Sequence, residues 1–292
     1  MISKKTIFIF FVFFISAAPL YAWGPASHLM FDSYILAHLS LITLISTKKL
    51  LKKYANDFLY GSIAPDIFVG KGSKPDKHHS HNWDIGFALF ENANNDNQRA
   101  FAYGYLTHLS ADCLAHNFFV PFNIFRKKNI GLTMTHIYWE LLFDLKLPKQ
   151  FSALAEYLIK HHNRENDEYL KSIIIQKKSF DLRKSLFGKI VNLLNSKMTK
   201  QILSNPKSQQ ALSQNCLDFF ITSNIGICAD IINNLYKSEI TDFDPVGSVN
   251  LLSSKFVKKA SIANPFALPE IIQLKSLKKY SFKYLDSFNF KP

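Results

Sequence analysis

Cysteine is nearly missing from this chain: three in 292 residues, an odd set, too few for a disulfide framework. Cys113, Cys216 and Cys228 are expected as buried thiols, with at most one bridge, between Cys216 and Cys228. Strand signals are also scarce, which argues against a sheet-built fold. There is no internal repeat and no low-complexity tract, which excludes a solenoid or a disordered tail as the main architecture. Past residue 22, no apolar run approaches the roughly 20 residues of a spanning helix without meeting a charge. Acidic residues are in deficit, 22 against 35 Lys and Arg, for a formal charge of +13. Such a balance suits anionic partners such as phospholipid headgroups or nucleic acid, and equally suits lysine-rich solvated faces.

What is present begins with MISKKTIFIFFVFFISAAPLYA. Two lysines, a short apolar run and small residues ending at Ala22 follow the order of a secretory signal peptide. Cleavage after Ala22 is expected, giving a secreted or periplasmic protein whose first residue is Trp23. The remaining chain reads as all-α. Helical spacing covers Ser27 to Ile45, Gln98 to Phe118 and Thr133 to Leu145, then 149–161, 164–176, 183–199, 209–237 and 268–286. Asn205-Pro206, Asp244-Pro245 and Asn264-Pro265 are breakers. A loop from Gly61 to about Gly86, rich in Gly, Pro, Ser, Asp and His, is long enough to be functional.

The chemistry-bearing residues recur at helical spacing. In YGYLTHLSADCLAH, His108, Asp112 and His116 stand at i, i+4 and i+8, stacked on one helix face over about 12 Å. Two histidines so far apart do not chelate one ion through zinc–nitrogen bonds of roughly 2 Å. A row of cations with the Asp112 carboxylate between them suits the spacing better. His136 and Glu140 repeat the i, i+4 step in MTHIYWE, and the loop brings Asp66 (APDIF) and His81 (HHSHNWD) within reach. His78 and His79 are alternatives to His81. Asp84 and Asp144 are expected to hydrogen-bond ligand histidines, His38 to be structural, and His161-His162 to be surface. The run FFVPFNIF after His116 would give an apolar rim beside the site.

Through WGPASH, GSIAPDIF, HNWD, HLSADCLAH and HIYWE, from Trp23 to Leu147, the chain resembles the bacterial zinc-dependent phospholipase C family. That family shares an all-helical trinuclear-zinc fold with the zinc-dependent single-strand nucleases. The resemblance implies one helical hydrolase domain over 23–292, a multi-helix bundle around three zinc ions. Asp66, His81, His108 and Asp112 would hold one ion, and His116, His136 and Glu140 a second. A third would take His28, the shared Asp112, and the amine and carbonyl oxygen of Trp23. Asp66 would also orient or deprotonate the attacking water. The implied activity is phospholipase C, with phospholipid as substrate and contact with a membrane surface. The alternatives are a single-strand nuclease using the same ions, and a zinc-stabilised binding protein without turnover. The stretch LKSLKKYSFKYLDSFNFK near the C-terminus fits either an amphipathic bundle helix or one lying on anionic lipid.

Overall fold

A computed structural model of the chain describes residues 23–68, 79–121, 123, 132–161, 164–174, 179–196 and 212–247, with 132–138 as backbone alone. The proposed signal segment, His78, His162 and the helix expected at 268–286 lie outside these residues. Among the described residues there is no strand. The described residues include ten α-helices: α1 (Pro25–Ala37), α2 (Ile45–Lys53), α3 (Ala55–Gly61), α4 (Trp83–Glu91), α5 (Asp96–Leu114), α6 (Leu132–Lys146), α7 (Lys149–His161), α8 (Arg164–Ile173), α9 (Phe180–Asn195) and α10 (Gln214–Asn234).

The centre of the bundle is α5, packed against α3, α4 and α10. From Ala100 to Leu114 every one of its side chains is buried. A helix apolar or enclosed on all sides belongs in a core, so the polar residues it carries there, Thr107, His108, Ser110 and Asp112, need partners inside. Its start is set locally. Asn95 accepts from the Gln98 amide at 3.0 Å, satisfying one orphan donor of the first turn, and the Gln98 side chain accepts from the Asn94 amide just before the helix at 2.9 Å.

The α3–α5 crossing is close enough to exclude a β-carbon. One added at Gly104 would stand 1.9 Å from the Phe58 carbonyl oxygen, and one at Gly61 would stand 2.0 Å from that of Phe101. Glycine on both helices lets the backbones touch, which brings Ser62 and the 3₁₀ turn Ala64–Phe68 against α5 one turn from His108.

Several expectations are revised. The first helical segment does not run to Ile45: α1 ends at Ala37, and His38 leaves the helical region at φ −124°, ψ 59°. The His38 ring stacks on Tyr34 at 3.9 Å and its Nδ1 meets the Tyr34 carbonyl, a structural role as expected. Helices α2, α3 and α4 stand where the sequence showed no clear period, so the stretch from Gly61 to Gly86 is loop only in part. The Cys216–Cys228 bridge does not form. None of the three cysteines is in a disulfide, and these two lie on α10 with about 18 Å of helical rise between them. The segment Gln214–Lys237 has the length and apolarity to cross a membrane, yet is mostly buried in the bundle.

Because the crossing has no space to give, Gly104→Ala should destabilise the fold by about 1–3 kcal/mol or more, the usual cost of overpacking. Chemical denaturation of wild type and variant measures it, and an unchanged midpoint would refute a crossing this tight.

Candidate metal centre

His28 rides on α1, whose start is held from outside. Pro25 occupies the first helical position, where its missing N–H costs nothing. The amides of Ala26 and Ser27 donate to the Asp144 carboxylate at 3.3 and 3.1 Å, and the Ser27 hydroxyl donates to it as well. Asp144 on α6 is therefore the cap of α1, meeting the positive end of its dipole. This corrects the expectation that Asp144 hydrogen-bonds a ligand histidine. Asp84 is also excluded from the site: it is exposed in the first turn of α4, its amide donating to Asn82.

Trp23 is wholly buried among Phe31, Phe119, Phe143 and Phe220. Its indole Nε1 donates to the Ala111 carbonyl at 2.8 Å. That bond fixes the start of the described chain next to Asp112.

Asp66 enters from the 3₁₀ turn, His81 from the segment leading into α4, and His108 and Asp112 from one face of α5. His81 Nε2 is 3.3 Å from Asp66 Oδ1, 3.4 Å from Asp112 Oδ2 and 3.1 Å from His108 Nε2. His108 Nε2 is 3.2 Å from Asp112 Oδ2 and 3.8 Å from Asp66 Oδ1. These five separations are edges of one tetrahedron of four atoms. Zinc bonds of 2.0–2.2 Å to nitrogen and oxygen imply edges of about 3.3–3.5 Å, so the cluster has the size of a zinc coordination shell.

Asp112 faces two ways. Its Oδ2 turns to His81 and His108, and its Oδ1 lies 3.3 Å from His28 Nε2. The His28 ring stacks on His108 at 3.9 Å, and His28, His108 and Asp112 form a second group of ligand atoms within 4.8 Å of one another. Yet both oxygens of Asp112, Asp66 Oδ2 and His28 Nε2 are buried with no hydrogen bond, since these approaches lie off the donor direction. Buried charged atoms facing each other without hydrogen bonds fit a centre built around cations.

Backbone carbonyls orient the rings. The Ser62 carbonyl can only accept, so His108 Nδ1 donates to it at 2.8 Å and leaves Nε2 to meet the carboxylates. The Pro245 carbonyl does the same for His116 Nδ1. The segment into α4 is pinned by Tyr105, whose hydroxyl donates to the Ser80 carbonyl at 2.6 Å.

His116 follows one turn beyond Asp112, where the helix widens into a π-turn over Ala115–Phe119. Asn117 supports the turn, its Nδ2 donating to the Cys113 and Asp244 carbonyls at 2.9 Å each. His116 is near enough for its charge to act on Asp66. Glu140 is buried in the same region: burial first, then the charges of Asp112, Asp66 and Asp144, raise its carboxyl well above the usual range. His136 lies on α6 and its side chain is outside the described residues. Of the apolar rim expected from FFVPFNIF, Phe118, Phe119 and Val120 are core instead, and Phe122, Ile124 and Phe125 lie outside the described residues.

A model of the zinc-dependent phospholipase C family matches residues 27–199, more than half of the chain. This chain belongs to the zinc-dependent phospholipase C family. Comparison with curated proteins and with solved structures returned no match. Membership makes it a zinc-dependent hydrolase, and the His and Asp groups above are donors of the type zinc takes. The matched span contains His28, Asp66, His81, His108, Asp112, His116, His136 and Glu140. The carbonyl that orients His116, from Pro245, comes from beyond it.

Burial first and then the Asp112 charge push Asp66 up to about 8. Burial pushes His81 down to about 4. Burial also opposes ionisation of Asp112, but His108 and His28 outweigh it and hold this carboxyl well below the usual range. At pH 7 Asp66 therefore carries a proton that a cation must expel, while His81 and Asp112 are ready to bind. Zinc affinity should rise about tenfold per pH unit from 6 to 8 and level off above Asp66's own pKa. Calorimetry in buffers of different ionisation enthalpy reads the released proton. A pH-independent affinity would remove Asp66 from the shell.

Proposed function

We propose that this zinc-dependent phospholipase C acts outside the cytoplasm on glycerophospholipids, releasing diacylglycerol and a phosphorylated headgroup. The observation that carries this reading is the shared Asp112, with one oxygen toward His28 and the other in the tetrahedral group of Asp66, His81 and His108. Asp66, His81, His108 and Asp112 would hold one ion. His28 and Asp112 would hold another, with the amine and carbonyl of a freshly exposed Trp23, and His116, His136 and Glu140 a third. Zinc there supplies Lewis acidity toward the phosphoryl oxygens and lowers the pKa of a nucleophilic water.

The residues of the chain do the rest. Asp66 Oδ2, buried and without a hydrogen bond, is placed to take the proton of the attacking water as its oxygen bonds to phosphorus. The phosphorus–oxygen bond to the glycerol then breaks, and the proton is available for the leaving alkoxide. Asp112, held ionised by His108 and His28, keeps the pocket anionic enough to hold cations close together, and Glu140 adds a second carboxylate once a cation displaces its proton. The Ser62 and Pro245 carbonyls keep the imidazoles from turning as charge moves.

The aromatic residues favour lipid over nucleic acid. A nuclease of this kind would hold a base on an exposed aromatic face. Phe119 is enclosed around Trp23, Phe118 packs on Phe243 and Phe68 on Phe180. Trp139 is buried; Trp83 is half-buried, one ring face stacked on Phe87 and its indole N–H donating to the Phe243 carbonyl at 2.9 Å. Trp83 apart, none of these described side chains is offered as a stacking platform; Phe122 and the Tyr138 side chain lie outside the described residues.

Protein beginning at Trp23, loaded with zinc, should cleave phosphatidylcholine or phosphatidylethanolamine in mixed micelles faster than it degrades single-stranded DNA. A chelator should abolish the activity. DNA degradation without lipid cleavage would replace this reading with the nuclease one.

The terminal ligand has its own test. A protein with one extra residue before Trp23 offers an amide in place of an amine and should lose about one zinc per chain by metal analysis. Equal zinc content in both forms would place Trp23 in the aromatic core alone.

A further inference from the structure

We infer that α2 and the turn before it form a docking surface for anionic phospholipid bilayers, remote from the metal centre. The inference rests on the reading that the substrate lies in a membrane. Two large apolar side chains, Leu44 and Ile45, stand 57% and 68% exposed at the start of α2. They are not on a loose loop. Ile42 beside them is buried. The Thr43 amide and hydroxyl both donate to Asn233 Oδ1, at 2.8 and 3.1 Å, and Asn233 Nδ2 donates to the Leu41 carbonyl at 2.9 Å. The α10 side chain thus clamps the turn and holds Leu44 and Ile45 outward, in water.

Lysines follow immediately. Lys49, Lys52 and Lys53 are exposed and Lys48 is half-buried. Among the described residues, no carboxylate lies within ion-pair distance of any of the four. Between α2 and the first turns of α5 is a pocket of about 450 Å³ lined by Ser46, Thr47, Lys49, Lys53 and Arg99, with Asp96 as its single acid. Arg99 is fixed there, its guanidinium 4.7 Å over the Phe90 ring and its Nη2 donating to the Ala93 carbonyl at 3.3 Å. Three cations and three hydroxyls (Ser46, Thr47 and Tyr103) against one carboxylate match the chemistry of a phosphate-bearing headgroup.

Apolar side chains to enter the acyl boundary, with lysines at headgroup level around them, are the pattern of a protein that rests on a bilayer. The site is separate from catalysis. Arg99 and Asp112 share α5 but are about 20 Å apart along it. The surface would hold the enzyme at the membrane without touching the reacting phosphodiester.

The test uses the zinc-loaded chain with phosphatidylcholine vesicles, with and without phosphatidylglycerol, in a co-sedimentation assay. Wild type should bind the anionic vesicles and release them at high salt. Leu44→Ser/Ile45→Ser and Lys49→Glu/Lys52→Glu should each weaken binding about tenfold or more, since a membrane-facing basic residue contributes about fivefold and a reversal counts twice. Turnover of short-chain phosphatidylcholine below its micelle threshold should be unchanged in both variants, while turnover in vesicles falls with binding. Variants that bind vesicles like wild type overturn the proposal and move any membrane contact elsewhere, for instance to the C-terminal lysine-rich stretch. Vesicle binding lost in the variants with no lipid hydrolysed by any form keeps the docking surface and removes the phospholipase reading.

Discussion

A carboxylate buried in the middle of a helix bundle is the constraint from which the rest of this structure follows. Asp112 has no access to water and is held ionised against the cost of burial by His108 and His28. An isolated ion in that position would cost several kcal/mol or more, so it must be met by opposite charge. Imidazoles alone meet it incompletely, as its oxygens without hydrogen bonds show. Cations complete the balance, and each group converging on Asp112 supplies either a donor for a cation or a hydrogen bond that aims one.

Much of that aiming is done by main-chain atoms. Ser62, Pro245 and Ala111 each contribute a carbonyl: to His108, to His116 and to the Trp23 indole. Carbonyls are set by how elements cross, so the glycine contact between α3 and α5 and the strap at 243–247 matter as much as the ligand side chains. The strap is joined to the site by three further bonds, from Trp83 and Cys113 to the Phe243 carbonyl and from Asn117 to that of Asp244. Outer-shell bonds of this kind fix the tautomer and orientation of ligand histidines.

The all-helical class and the shared face of His108 and Asp112 were legible because helical periodicity and i, i+4 spacing translate directly into shared faces. Asp66, His81 and His28 joined that group only through the family resemblance. Counting residues could not show the π-turn at Ala115–Phe119 that carries His116. Spacing misled at Asp144, which is one turn beyond Glu140 and so looked like support for a ligand, while its carboxylate turns to the amides of α1. FFVP read as rim because apolarity alone does not separate a core turn from an exposed one. The short helices α2 to α4 were hidden for a related reason: at seven to nine residues they hold little periodic signal and owe their stability to packing on α5. The oxygens of Ser62 and Pro245 were beyond sequence reasoning, since every residue has a carbonyl.

Trp23 shows how packing and chemistry can be joined at one residue. A fully buried tryptophan is worth about 3–5 kcal/mol of stability against alanine, far more than a chain end needs merely to be tidy. Its indole is locked by four aromatic neighbours and by the Ala111 carbonyl, and Gly24 beside it packs so close to the Asp144 carboxylate that an added β-carbon would stand 1.9 Å from an oxygen. The main chain at residues 23–24 is thereby held from both sides, by α5 and by α6, with His28 one helical turn further on. Holding backbone atoms this firmly is superfluous for an N-terminal arm and necessary for a segment whose own amine and carbonyl are to serve as ligands. On the proposed reading, the side chain of Trp23 thus positions the very atoms that its exposure at the N-terminus would make available.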